Sequence, residues 1–301
     1  MEKLKYRKRQ VSRHIARHFF ERRFCNIIDT NKDARILVIL HLYYEEAWPE
    51  IKEYLSNLRC YNYDLLVSLT SGRIGLSTRR DIEALEGCDV RIIDVPNRGF
   101  DLGPFFETAN LVTEEYDVVF KIHSKATKRP IQFIYGRLFF RRTWFLMLFD
   151  GVLGARNVHR IINFMAHSHE KSVIAAPQRL IVRDPAEKQQ RHLSTGRKLG
   201  LQLTDDYEFV AGTCFAMNGS HFKAVRDLDV TIDQFDVTDP RSVWDLGHFL
   251  ERYVCNLGRP DIQFYKTSNS TIQSILLAPL EALVSILYPV LRRRRNSKAL
   301  V

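Results

Sequence analysis

The chain has 301 residues, of which 45% are hydrophobic and 11% aromatic, as is typical of a globular protein with a sizeable core. Its net charge of +10 is concentrated at the ends, because residues 1–23 contribute +7, residues 292–301 contribute +5, and about −2 is left for the residues between them. A near-neutral body argues against a general nucleic-acid-binding surface, so the basic ends are better suited to an anionic surface such as a membrane.

Several common kinds of site lack their usual sequence support. The five cysteines are widely spaced and form no CxxC pair, which gives no indication of a disulfide framework or a zinc site and favours a reducing, cytoplasmic environment. The chain also lacks GxGxxG after its first strand, GxxxxGK[ST], HExxH and GxSxG. Dinucleotide, P-loop, metalloprotease and hydrolase-elbow sites are therefore disfavoured.

Residues 1–33 predict a basic amphipathic helix. Val11, Ile15 and Phe19 recur at four-residue spacing among lysines and arginines. A helix of this type lies on an anionic membrane surface, although packing of the same apolar stripe against the domain accounts for it equally well.

Residues 34–260 predict an α/β domain. Apolar strands alternate with helices of 8 to 12 residues, which indicates βαβ units and a mostly parallel central sheet flanked by helices. Residues 178–206 are polar and predict an irregular segment that could contain a short helix. The predicted strands are 35–44, 63–69, 90–95, 117–123, 172–176 and an interrupted strand at 207–217; the predicted helices are 48–58, 77–85, 103–112, 158–167, 220–225, in which Ser220 is the expected cap, and 243–256.

Residues 261–301 predict an apolar and basic segment that associates with a membrane. The apolar run at 275–291 has 17 residues and is interrupted by Pro279, Glu281 and Pro289. A membrane span needs about 20 residues, so this run is short for one. With the four arginines at 292–295 behind it, we expect an interfacial or re-entrant anchor.

The strongest indication of a ligand site lies in residues 92–125. In an extended strand at 117–125, Lys121, His123 and Lys125 share one face, which becomes basic toward the carboxyl end of the strand. Ligands of open α/β sheets bind at that edge. The three side chains predict an anion site, although solvated residues at the end of a core strand would show the same pattern.

The turn before the fourth strand, Asn97-Arg98-Gly99-Phe100-Asp101-Leu102-Gly103, supports the same site. Glycine permits close approach of the backbone, Arg98 offers a fork suited to phosphate, and a helix start favours an anion. Asp101 can cap the helix or accept a hydrogen bond from a sugar hydroxyl. An ordinary capped helix after a tight turn remains an alternative. We also expect Thr70 and Ser71, at the end of the second strand, to meet a nucleobase.

Four motifs together resemble a known family. The motifs that carry the resemblance are, in order, PNRGFDLGPF, YDVVFKIHSK, FVAGTCFAMN and HFLER. Through them the chain resembles the rhamnan synthesis F family of bacterial polysaccharide-assembly glycosyltransferases across roughly residues 36–257. The resemblance implies a GT-A-like, Rossmann-like fold that binds a nucleotide sugar. It also implies transfer of rhamnose or a related sugar to a cell-surface polysaccharide such as rhamnan or O-antigen, with inversion for a rhamnosyl donor.

The chain departs from related GT-A enzymes at the end of the fourth strand. Those enzymes carry an Asp-x-Asp that holds a divalent metal on the donor diphosphate, whereas His123-Ser124-Lys125 stands here. Without the carboxylates a Mg²⁺ or Mn²⁺ lacks ligands, while Lys121, His123 and Lys125 can neutralise a leaving diphosphate. We therefore expect no metal and no other cofactor.

Sugar transfer needs a base for the acceptor hydroxyl. Asp245 and Glu251, on one predicted helix with His248, are the candidates, although either could be a salt-bridged helix residue. Gly212 and Thr213 interrupt a strand where an acceptor could approach the backbone, and a plain β-bulge is equally compatible.

These observations predict a cytoplasmic enzyme associated peripherally with the inner face of the cell membrane. Its expected partners are a nucleotide-sugar donor, for which dTDP-rhamnose is the first candidate, a lipid-linked glycan acceptor, and anionic lipid bound through both termini. No nucleic acid is expected as a partner. The alternative is a catalytically silent GT-A-like scaffold of a polysaccharide-assembly complex. A third interpretation, a basic RNA-binding protein, is disfavoured by the near-neutral charge of the residues between the two ends.

Overall fold

A computed structural model describes residues 33–125, 131–134, 137–168, 170–236, 246–257 and 261–268. For residues 131–134 and 137–143 the backbone alone is described. The predicted N-terminal helix, the apolar run at 275–291 and Asp245 lie outside the described residues, so the predictions made for them stay predictions.

The described strands form one large sheet and two small ones. The central sheet contains seven strands, in the spatial order β11-β7-β10-β4-β1-β2-β3. The strands are β1 (Ile36–Leu42), β2 (Tyr63–Thr70), β3 (Cys88–Val95), β4 (Val118–His123), β5 (Ile131–Ile134), β6 (Arg137–Phe140), β7 (Val173–Pro177), β8 (Ile181–Val182), β9 (Phe209–Val210), β10 (Phe215–Asn218) and β11 (Gln263–Thr267).

The helices follow the strands closely along the chain, as βαβ units require. Short 3₁₀ turns occur at Glu45–Ala47, Ser56–Leu58, Gln178–Leu180 and Ile232–Gln234. The α-helices are α1 (Trp48–Leu55), α2 (Leu76–Glu83), α3 (Leu102–Asn110), α4 (Arg141–Leu153), α5 (Ala155–Met165), α6 (Ala186–Leu199), α7 (Gly219–Arg226) and α8 (Leu246–Val254).

The central sheet is mostly parallel and confirms the predicted fold class. β1 pairs in parallel with β2 and β4, β2 with β3, and β7 with β11, whereas β10 runs antiparallel to both β4 and β7. All seven residues of β1 and all six of β4 are buried. Burial on both faces explains why these strands are almost continuously apolar.

Two details of the sequence prediction were wrong. Residues 178–206 contain the 14-residue helix α6, whose buried residues are only His192, Leu193 and Gly196, so its apolar periodicity is weak. Helix α7 is capped by Asn218, whose side chain accepts a hydrogen bond from the His221 amide, and not by Ser220. Asn218 competes better because its Oδ1 also accepts from the Val173 amide at 3.0 Å.

β11 lies beyond the domain boundary expected at residue 260. It pairs with β7 over five residues, from Gln263 to Thr267, so the central sheet extends into the segment assigned to membrane association. Across all the ranges that the structure describes, no helix is long and apolar enough to cross a membrane.

The strand order creates a crevice where the chain reverses its direction of winding. β2 and β3 lie on one side of β1, and β4 lies on the other side. In open α/β sheets the carboxyl ends of the strands at such a point are the usual ligand site. The loop from β3 into α3 and the end of β4 meet there, and they carry the motifs singled out above.

Candidate functional site

A cavity of about 210 Å³ opens at the carboxyl end of β4. It is formed by the turn before α3, the residue pair after β9, the end of the β4 segment and the first turns of α8. Its lining residues are Gly99, Phe100, Asp101, Leu102, Lys125, Gly212, Thr213, Gly247, His248 and Glu251. We call it the central pocket. Seven of the predicted site residues, distributed over more than 150 positions of sequence, are thus brought together.

The carboxylate of Asp101 is the electrostatic centre of this pocket. Its Oδ2 accepts hydrogen bonds from Lys121 Nζ at 2.6 Å and from the Thr213 hydroxyl, and lies 3.5 Å from His123 Nδ1. Burial acts to raise the pKa of this carboxyl, but His123, Lys121 and Lys125 around it hold the pKa well below its usual value. Asp101 is therefore ionised at neutral pH.

Lys121 lies beneath the central pocket rather than on its surface. The residue is 1% exposed, and its ammonium also donates to the Thr213 carbonyl at 2.9 Å. The rings of Phe105 and Phe215 lie 5.2 and 5.8 Å from it. On the face of β4 that sequence alternation marked as basic, Lys121 is enclosed by Asp101, Thr213 and Phe105, so it interacts with protein groups.

His123 is buried beside Lys121. Burial lowers its pKa well below the usual value, which leaves a neutral imidazole at physiological pH. Its Nδ1 lies 3.5 Å from Cys214 Sγ, and its Nε2 has no hydrogen-bond partner within the described ranges. Of the three basic residues predicted at this strand end, Lys125 alone lines the central pocket.

The backbone is strained at two places in the pocket wall. Phe100 and Thr213 have φ of 55° and 51°, and each follows a glycine in the same region, Gly99 at 66° and Gly212 at 84°. Such conformations are rare for residues with a Cβ, and least expected for a β-branched threonine. Strain of this kind persists where the surrounding structure enforces it, and it concentrates at functional sites.

Helix α8 contributes Glu251 and His248 to the pocket. Glu251 Oε1 accepts a hydrogen bond from the Gly212 amide at 3.3 Å, and its Oε2 accepts one from Arg252. The His248 ring packs edge-on against Phe100, with 5.3 Å between centroids. Two of the three predicted catalytic residues therefore reach the pocket.

Besides Lys121 and His123, four more predicted donor-binding residues lie outside the pocket lining. Thr70 is buried with its hydroxyl 3.4 Å from His41 Nε2, and the Ser71 hydroxyl donates to the Val95 carbonyl at 3.1 Å. Arg98 faces Asp233 at 3.6 Å, and Asn97 is half-buried. Thr70 and Ser71 are thus engaged with neighbouring strands, and a contact of these four residues with a nucleotide stays a prediction.

Sequence reasoning missed Phe100 and Asp184. Phe100 is part of the quoted motif and lines the pocket, but a lone aromatic residue in a turn carries no signal that separates it from core packing. Asp184 is a buried carboxylate that contacts Arg252, in a segment where no periodicity marks it. In the described part of the chain, no three His, Cys, Asp or Glu side chains are grouped so that they could hold a metal ion.

Comparison with known proteins identifies the family. The family model of rhamnan synthesis protein F matches residues 6–259. The chain belongs to this family. The resemblance inferred from the four motifs is thereby confirmed, and the match covers both the central sheet up to β10 and the helix α8 that carries Glu251.

Three solved structures are similar to the chain at low identity. An active-site mutant of LgtC has 9% identity, covers 76% of this chain and 72% of its own, and superposes with a TM-score of 0.37. The galactosyltransferase LgtC in complex with donor and acceptor sugar analogues has 11% identity, the same coverage and a TM-score of 0.34. Mouse xyloside xylosyltransferase 1 has 12% identity, covers 77% and 84%, and has a TM-score of 0.30. No curated protein sequence matches the chain.

Proposed function

We propose that this member of the rhamnan synthesis protein F family is a glycosyltransferase. It transfers rhamnose or a related sugar from a nucleoside-diphosphate sugar to a growing cell-surface polysaccharide. The observation that supports this most is the central pocket, where Lys125, Asp101 and Glu251 converge at the carboxyl edge of the sheet. One cation for phosphate and two carboxylates for hydroxyl groups are the elements that such a transfer needs.

The volume of the central pocket indicates which part of a donor it takes. Its volume of about 210 Å³ is below the range of about 300–1,000 Å³ that drug-sized ligands occupy. The pocket therefore suits a sugar ring and the adjoining phosphate, with the nucleoside outside it. Phe100 offers an apolar face to the ring, and the ionised Asp101 accepts hydrogen bonds from its hydroxyls.

The reaction exchanges one C–O bond at the anomeric carbon for another and moves one proton from the acceptor hydroxyl to a base. An acceptor hydroxyl oxygen bonds to the anomeric carbon, and the bond from that carbon to the diphosphate oxygen breaks, with its electron pair leaving on the nucleoside diphosphate. In the proposal Glu251 takes the hydroxyl proton, and Lys125 stabilises the negative charge of the leaving diphosphate. Asp245, the other candidate base, lies outside the described residues.

Asp101 and Lys121 have complementary parts in this proposal. The ammonium of Lys121 keeps Asp101 ionised, and the Thr213 hydroxyl and carbonyl tie both groups to the strained loop after β9. A carboxylate held in this way is a fixed acceptor and a poor base, because its pKa is well below neutrality. We therefore assign Asp101 to sugar binding and Glu251 to proton transfer.

Metal independence is part of the proposal and rests on the chemistry of the β4 end. His123-Ser124-Lys125 replaces the acidic pair that would bind a metal, and Lys125 supplies positive charge beside the pocket. The Ser124 hydroxyl is used internally, since it accepts hydrogen bonds from the amides of Tyr43 and Tyr44 at 2.8 and 2.9 Å. Direct neutralisation of the diphosphate by lysine is the expected alternative to a metal.

The site of action in the proposal is the inner face of the cell membrane, where a lipid-linked glycan acceptor is available. Its support is the +7 charge of residues 1–23 and the +5 charge of residues 292–301. Each Lys or Arg near an anionic membrane contributes about 1 kcal/mol of attraction. A variant that lacks residues 275–301 should sediment less with anionic vesicles than the full chain, and unchanged sedimentation would refute the role of that segment.

The decisive test is transfer with a panel of dTDP-, UDP- and GDP-sugars in the presence and absence of EDTA. We expect transfer or donor hydrolysis with a rhamnosyl donor, unaffected by EDTA. Loss of activity with EDTA would refute metal independence. If the folded chain binds no nucleotide sugar, the catalytically silent scaffold replaces the proposed function.

A further inference from the structure

The segment before α6 places a buried carboxylate next to the helix that carries Glu251. The side chain of Asp184 has no solvent exposure, and the Arg252 side chain is 4% exposed. The Tyr207 hydroxyl donates a hydrogen bond to Asp184 Oδ2 at 2.7 Å, and His192 Nε2 lies 3.8 Å from the same oxygen. A carboxylate with this many partners is held in one position.

Arg252 connects this carboxylate to the central pocket. Its Nε donates to Asp184 Oδ2 at 2.8 Å and its Nη2 to Asp184 Oδ1 at 3.2 Å, which is a bidentate pair. Its Nη1 donates to the His248 carbonyl at 3.0 Å and to Glu251 Oε2. The guanidinium also lies over the Phe209 ring, 4.1 Å from its centroid. Its planar fork thus fixes Glu251 relative to β9.

We propose that Asp184 and Arg252 are positioning residues that hold Glu251 against the Gly212 amide at the wall of the central pocket. Asp184 orients the guanidinium, and the guanidinium holds Oε2 of Glu251, which leaves Oε1 to accept from Gly212. The significance of Glu251 for sugar transfer rests on the proposed function. Its placement by Arg252 does not.

The neighbouring side chains favour this role over simple support of the fold. Arg252 and Glu251 are consecutive in α8 and lie about 100° apart around the helix, so helix geometry alone does not bring their side chains into contact. Both carboxylate oxygens of Glu251 are held, Oε2 by the Arg252 guanidinium and Oε1 by the Gly212 amide in the strained loop after β9. Lysine could not replace Arg252, because a single ammonium cannot make the two-point contact with Asp184.

Gly212 provides a direct measure of the position of Glu251. Ala211-Gly212 is the only Ala-Gly dipeptide in the chain. Labelling alanine with ¹³C at the carbonyl and glycine with ¹⁵N therefore gives one carbonyl-filtered amide signal, that of Gly212. The Glu251→Ala variant defines where this signal lies when the carboxylate is absent.

We expect Arg252→Lys and Asp184→Asn to shift the Gly212 signal toward its position in Glu251→Ala. Glu187→Gln is the matched control, since this carboxylate is 82% exposed, lies at the start of α6 and pairs only with the surface Arg191 in the described structure. If both variants keep the wild-type signal, or if Glu251→Ala leaves it unmoved, the positioning is refuted. The other glycine signals report whether each variant is folded. If Asp184→Asn does not fold, the Arg252→Lys variant alone decides the test.

Activity gives the second readout. With the preferred donor, Arg252→Lys and Asp184→Asn should lower kcat by about 10- to 100-fold and leave the KM of the donor unchanged, because a misplaced base slows transfer without weakening donor binding. A role limited to stability would lower the melting temperature with kcat unchanged. If no donor supports transfer in the wild type, the proposed function fails, and the Gly212 signal still decides the positioning.

Discussion

The ammonium of Lys121 and the carboxylate of Asp101 form an ion pair of 2.6 Å, with side-chain exposures of 2% and 16%. Asp101 lines the central pocket and Lys121 lies beneath it, where the Thr213 carbonyl accepts a further hydrogen bond from the same ammonium. Lys121 therefore contributes to stability and to the charge of Asp101, while Lys125 is the cation that lines the pocket.

Lys121→Met should lower the free energy of unfolding by about 3–5 kcal/mol, because the largely buried Asp101 then loses the cation that contacts it directly. The double variant Lys121→Met/Asp101→Asn should recover a large part of that loss. Urea denaturation measures both. Lys52→Met is the matched control: its pair with Asp81 is 41% and 47% exposed, so a change of about 0–1 kcal/mol is expected. Equal effects at residues 52 and 121 would contradict a buried pair.

Lys125→Ala should weaken binding of a nucleoside diphosphate by about 10- to 100-fold, because a charged hydrogen bond contributes about 1.5–3 kcal/mol. Stability should change little, since Lys125 is only partly buried. Isothermal titration with dTDP and UDP measures the affinity, and Lys223→Ala, in α7 with its partner Asp227, is the control of equal charge. Unchanged affinity of the Lys125 variant would move the diphosphate site elsewhere.

Gly99→Ala and Gly72→Ala separate close packing from backbone conformation. Both glycines have positive φ, 66° and 72°, so each substitution incurs about 1–2 kcal/mol of conformational strain. A Cβ at Gly99 would lie 2.4 Å from the Phe235 ring, whereas one at Gly72 meets nothing within 4 Å. We expect an additional loss of about 1–3 kcal/mol for Gly99→Ala alone. Thermal unfolding of the two variants compares them, and equal losses would argue against tight packing of this turn.

Stability should decrease as the pH falls from 6.5 toward 4. Burial lowers the pKa of His221 to about 4, so in this window the unfolded chain binds a proton at His221 that the native state does not. One such histidine gives a slope of up to about 1.4 kcal/mol per pH unit. His221→Gln should reduce the measured slope by that amount, whereas the exposed His167→Gln should not. An unaltered slope in His221→Gln would show that His221 is protonated in the native protein.

His41 shows the same behaviour near the candidate site. Burial, the largest influence, lowers its pKa to about 4, and its Nδ1 lies 3.1 Å from the Ser68 hydroxyl. His41 stands opposite His123 in the pairing of β1 with β4. Two neutral imidazoles therefore lie under the carboxyl edge of the sheet, and His41→Gln should reduce the pH slope in the same direction as His221→Gln.

The amino-acid sequence by itself determined the alternation of strands and helices, the turn before α3 and the family. Apolar runs and glycines are local signals, so β1, β2 and β4 were predicted within a few residues of their observed bounds. The polar helix α6 was not predicted, because a surface helix with three buried residues has almost no apolar periodicity. The burial of Asp184 was not predicted either, since no pattern near it in the sequence indicates burial.

Only the tertiary structure decided which predicted side chains face a ligand. Alternation along β4 placed Lys121, His123 and Lys125 on one face, but it carries no information on what covers that face. Thr213 and Asp101 are the residues that enclose Lys121. Thr213 lies 92 positions from Lys121 in the sequence, and its contact with Asp101 spans 112 positions. A local pattern sets the face of a strand, whereas burial and pairing depend on distant segments, and these leave Lys125 at the pocket and Lys121 in the core.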